Sequence, residues 1–62
     1  MIAVIATNSV GQLVFAGLNI DEESEKDNNR EAGKLFAKGF EVKRIPAEAL
    51  SNYKWDITRD EP

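Results

Sequence analysis

The first eighteen residues, MIAVIATNSVGQLVFAGL, set two short apolar runs around a polar break and hold no charged residue, in a chain that is 31% charged. The runs Ile2–Ala6 and Leu13–Ala16 flank Asn8-Ser9-Val10-Gly11, and Asn, Ser and Gly are the residue types that let a backbone reverse. Runs of this length, rich in Val, Ile and Phe, are too short for a buried helix and predict a β-hairpin over residues 1–18. Ile2, Val4 and Ala6 fall on one face of the first run, and Ala3 and Ile5 on the other. A strand apolar on both faces is expected to lie centrally or under cover.

Beyond the hairpin the period changes. Asp21–Glu31 contains no apolar residue, which fits either a solvated loop or the exposed half of a helix. Ala32, Leu35 and Phe36 then take the i, i+3, i+4 spacing of a helical stripe and predict a core helix over Asn29–Lys38. Asn28 and Glu31 have the spacing of a capping box, and Gly39 stands where a helix stops. Acids also suit a first helical turn, so Asp21 is the alternative cap of a longer helix. Phe40–Ile45 predicts a third strand, ended by Pro46, and Pro46–Leu50 a short helix that stops near Ser51-Asn52. Tyr53, Trp55 and Ile57 alternate with Lys54, Asp56 and Thr58, which predicts a fourth strand over Tyr53–Arg59 and a frayed tail at 60–62. The expected fold is a single α+β domain over 1–62, in the order β-β-α-β-short α-β. Its four-stranded, mainly antiparallel sheet carries one helix on one face, with Leu35 and Phe36 buried against Val4, Phe15, Val42 and Trp55.

Length adds a stability argument. A chain of 62 residues buries only about 60% of the surface its unfolded form exposes. One core of that size rarely supplies more than roughly 3–5 kcal/mol, and small domains add disulfides, a metal or a partner. With no Cys and no His, a disulfide, a thiolate site and the commonest metal ligand are absent, so no cofactor or metal is expected. A homodimer or a larger partner is the expected supplement. The N-terminal run has no basic region before it, and no stretch approaches the ~20 apolar residues of a membrane span. The expectation is a soluble, cytoplasmic protein, in the host cell's cytoplasm if the source is viral.

The net charge of −3 conceals a division along the chain. Residues 19–31 carry the six acids Asp21, Glu22, Glu23, Glu25, Asp27 and Glu31 against Lys26 and Arg30, whereas residues 32–59 are net basic. The acidic segment lacks the alternating ligands and central Gly of a calcium loop. It is expected instead to be a solvated face or a partner-binding array that competes for a basic groove on a nucleic-acid-binding host protein. The alternative ligand surface is Lys43, Arg44, Lys54 and Trp55, suited to a nucleotide or a single strand of nucleic acid. Net acidity and the placing of Tyr53 and Trp55 with Ile57 on one face count against nucleic acid. The hydroxyls have no base at a recognisable spacing, so an enzyme is not expected.

The opening MIAVIATNSVG resembles the first strand of dihydrofolate reductases, over that strand alone. Gly39-Phe40-Glu41-Val42-Lys43-Arg44-Ile45 is similar to the strand after the helix in a small bacteriophage inhibitor of bacterial RNA polymerase, which also displays acids on a compact α+β scaffold. Neither resemblance carries a functional residue over. Together with the size and charge of the chain, the second implies a small takeover or counter-defence protein that binds a larger host protein without catalysis. A ligand sponge and an accessory subunit of an enzyme complex are the other expectations.

Overall fold

The computed structural model describes residues 1–57. The order is β1 (Ile2–Thr7), β2 (Leu13–Asn19), α1 (Glu22–Ala37), β3 (Glu41–Pro46) and a 3₁₀ helix, Ala47–Asn52. The sheet has three strands in the order β2-β1-β3, antiparallel throughout. The strand that is apolar on both faces is thus the central one, and Ala3, Val4, Ile5, Ala6 and Thr7 are all buried.

The hairpin turn is organised by Asn8. Its Oδ1 accepts from the backbone N–H of Val10 at 3.0 Å and of Gln12 at 2.9 Å, the local side-chain bonding for which Asn is favoured in turns. Gly11 takes a φ of +85°, which a residue without Cβ adopts freely. The ladder shifts register between Ala6 and Thr7, where a bulge enters β2.

Two layers cover the sheet. On one face Ala3, Ile5 and Leu13 form the core, with Ala16, Ile45, Leu50 and Tyr53 packed against them. The 3₁₀ helix supplies Leu50 to this face, in place of the short helix expected from Pro46 onward. Pro46 itself is the last residue of β3. On the other face α1 crosses all three strands, lying chiefly on β2. Full burial of Val4, Ile5 and Leu13, the largest side chains so enclosed, contributes about 1.5–3 kcal/mol each.

Three expectations change. The helix is Glu22–Ala37, capped by Asp21 as in the longer alternative, so the core-helix start at Asn29 is seven residues late. Asn28 lies inside the helix and faces the sheet: its Nδ2 donates to the Leu18 carbonyl at 3.0 Å and to Asn19 Oδ1 at 2.7 Å. The box at the true start is Asp21 with Ser24, whose local bonds outcompete an Asn already committed to β2. Secondly, no fourth strand is found among the described residues. Tyr53–Ile57 makes one parallel bridge, Trp55 to Leu13, with Leu13 N–H donating to Lys54 O and Asp56 N–H to Leu13 O. An alternating pattern needs a straight edge to pair with, and the bulge twists this end of β2. Thr58 and Arg59 of that expected strand, and the tail at 60–62, lie outside the described residues. Thirdly, Phe36 is 69% exposed and Trp55 is 53% exposed, so neither joins the core; Ala32 is the buried residue of α1.

The helix ends in a Schellman motif. Phe40 N–H donates to Leu35 O at 3.1 Å and Gly39 N–H to Phe36 O at 3.0 Å, satisfying the last carbonyls, with Gly39 at φ +101°. No helix among the described residues is long and apolar enough to cross a membrane.

Candidate functional site

All six expected acids sit on or at the head of α1, but in three situations. Asp21 is used by the fold: its Oδ1 accepts the Ser24 N–H at 2.8 Å, while Ser24 Oγ accepts the N–H of Asp21 and of Ile20 at 2.9 Å each. Asp27 pairs with Arg30 at 3.4 Å and Glu31 with Lys34 at 3.5 Å, both exposed i, i+3 pairs. Glu22, Glu23 and Glu25 occupy the first turn, with no ion-pair partner within reach among the described residues. The acidic array is therefore concentrated at one helix end, where the dipole favours negative charge. Its carboxylates form no metal-holding cluster among the described residues.

The backbone N–H of Ser24, then its side chain, holds the Asp21 carboxyl below its ordinary 3.8. Because the folded-state value is the lower one, this cap stabilises the protein at pH above 3.8 and its contribution fades as pH falls through the folded value. Acidification from pH 5 toward pH 2, followed by thermal unfolding at each step, is expected to cost the native chain more than Asp21→Asn. Parallel pH profiles would mean that the cap's charge has no part in stability.

The alternative ligand residues are not brought together. Lys43 and Arg44 stand on β3, whereas Lys54 and Trp55 flank the outer side of β2. Three inter-strand spacings separate them, about 14 Å. Within β3 the alternation divides the cations again: Lys43 pairs with Glu41 at 3.8 Å, and Arg44, on the helix side, donates from Nη2 to Asn29 Oδ1 at 3.2 Å.

Sequence patterning missed the feature beside Arg44. Because α1 sits chiefly on β2, the helix-side face of β3 is left partly uncovered; one hollow opens along it, and a second lies between the start of α1 and the end of the sheet. One, of about 410 Å³, lies between Phe36, Gly33 and Ala32 of α1 and Val42 and Val4 of the sheet. The other, of about 640 Å³, is bounded by Met1, Ile2 and Ile20, with Asp21 and Glu25 at its rim. Arg44 borders both. A signal was present: Leu35 and Phe36 are adjacent, about 100° apart on a helix, so both cannot face the sheet's centre.

No family model, curated protein or solved structure matches the chain. The chemistry of its surfaces is the basis for a functional reading.

Proposed function

We propose that this chain is a non-enzymatic binding protein that occupies a surface of a larger protein, as a small phage or mobile-element inhibitor does to a host target. The observation that carries this reading is the first turn of α1, where Glu22, Glu23 and Glu25 project beside an already capped helix end. A compact negative patch on a small rigid scaffold suits a positively charged partner surface, such as one built to hold nucleic acid, and steers the encounter. The small core supports the expectation that a partner, or a second copy, adds stability.

Three of the hydroxyls are committed to the fold, which supports a non-catalytic role. Thr7 is buried in β1, Ser24 is engaged in the cap, and Ser51 Oγ donates to Glu48 O at 3.2 Å. The test is charge reversal at Glu22, Glu23 and Glu25 together, with Lys at each. Native mass spectrometry of protein purified gently from its own host is expected to recover a larger partner with the native chain. The reversed variant, folded by circular dichroism, should bind that partner at least about tenfold more weakly. Equal affinity would remove the acidic turn from the interface.

A further inference from the structure

The open flank of β3 joins three features that nothing so far has used: an edge strand, a largely apolar hollow beneath Phe36 and an arginine that borders both this hollow and a more polar one. We propose that β3 is a strand-addition site for an extended segment of a partner protein with the pattern apolar-x-acidic-x-apolar. This goes beyond the acidic contact, which lies on the first turn of α1.

The hydrogen-bond phase of the sheet supports pairing. Ala47 N–H donates to Met1 O at 2.9 Å, and β1 and β3 are in continuous register from Ile2↔Pro46 to Thr7↔Glu41. Antiparallel bonding alternates, so Ile45, Lys43 and Glu41 bond inward, and Val42 and Arg44 turn their N–H and C=O groups outward. No strand pairs with that edge among the described residues. An incoming strand directly opposite Val42, Arg44 and Pro46 shares their face, because paired residues point to the same side of a sheet.

That face decides the side chains. A residue opposite Val42 meets the hollow beneath Phe36, and one opposite Pro46 meets the exposed proline, with the part-exposed Ile2 beyond it on the same face. Between them stands Arg44, exposed, with the neutral Asn29 amide on its Nη2 and no carboxylate ion-paired to it among the described residues. A Glu or Asp opposite Arg44 completes a cross-strand ion pair. Asp21 and Glu25 line the second hollow together with Arg44, so an acid is better placed opposite Arg44 itself than further toward them.

The charges also argue against a second copy as occupant. An antiparallel β3–β3 pairing centred on Lys43 or Arg44 sets like charges directly opposite, which destabilises a sheet, and one centred on Val42 pairs Glu41 with Lys43 but sets Arg44 against Phe40, with no carboxylate opposite it. A partner segment carrying the opposite charge avoids this.

The test uses the full chain and three capped synthetic peptides, one with the core Ile-Thr-Glu-Thr-Ile, one with Ile-Thr-Lys-Thr-Ile, and one scrambled. Amide NMR titration and hydrogen exchange report affinity and location. The Glu peptide is expected to bind and to protect the Val42 and Arg44 amides, with the Lys and scrambled peptides weaker. Arg44→Glu should weaken the Glu peptide by about three- to thirtyfold and reverse the preference toward the Lys peptide. Three results would overturn the site: no binding by the Glu peptide, an unchanged preference in Arg44→Glu, or protection of Ala16 and Leu18 on the other edge instead. Protection of Val42 and Arg44 in concentrated protein without peptide, accompanied by dimer formation, would assign the edge to a second copy and equally overturn it.

Discussion

Alanine at position 17 is expected to destabilise the protein by about 2–4 kcal/mol, although glycine to alanine is among the smallest changes available. The backbone at Gly17 has no positive φ, so alanine meets no conformational strain there. What it meets is Asn28. A Cβ on Gly17 would run into the Asn28 carboxamide, with Nδ2 only 2.9 Å away. That carboxamide is tied to Leu18 O and Asn19 Oδ1 and cannot swing aside without breaking these bonds. Overpacking of this kind costs about 1–3 kcal/mol, and each lost bond about 1 kcal/mol. Against a domain stability of roughly 3–5 kcal/mol, much of the population would be unfolded. Gly33 is the control: a Cβ there meets nothing within 4 Å, and Gly33→Ala should gain about 0.5–1 kcal/mol from helix propensity alone. Urea denaturation followed by circular dichroism measures both. A Gly17→Ala variant within about 0.5 kcal/mol of the native chain would mean that α1 does not approach β2 as closely as described.

The second large effect is a contrast between two apolar residues that periodicity alone treats alike. Ile5 is fully buried at the centre of the sheet, whereas Phe36 is 69% exposed. Ile5→Ala removes a side chain enclosed on every side and leaves a cavity, at a cost of about 2–5 kcal/mol. Phe36→Ala removes a ring already in water and should cost less than about 1 kcal/mol. The same denaturation experiment separates them. A Phe36→Ala loss above 2 kcal/mol would mean that the ring is part of the core and that the hollow beside β3 is closed. A small loss would leave Phe36 exposed beside β3, as the strand-addition site requires.

Sequence reasoning reached Ile5 and stopped short of Phe36 and Asn28. The hairpin was legible because its evidence is local: two β-rich runs and an Asn-to-Gly turn within eighteen residues. The central position of β1 was legible from its apolar character on both faces, and the Gly39 stop from a glycine placed after a basic helix end. Asn28 misled because its spacing to Glu31 imitates a cap, while its actual role is a contact with residues nine and ten positions earlier. Phe36 misled because a stripe identifies an apolar side of a helix but not how far the sheet extends beneath it. The acidic cluster was legible as composition, but its division among cap, ion pairs and free first turn was not.

What the chain determines by itself is the kind of each early element, because turn chemistry, strand propensity and helix capping act over a few residues. It also excludes disulfides, through its lack of cysteine. Only the tertiary structure decides where α1 lies across the sheet, and that position follows from one missing Cβ at Gly17 and one committed side chain at Asn28. The lateral placement draws the helix toward β2 and leaves Arg44 and Phe36 beside an open strand, while the strand order sets Lys43 and Arg44 the width of the sheet away from Lys54 and Trp55. Such consequences depend on contacts between residues distant in sequence, which no local pattern encodes.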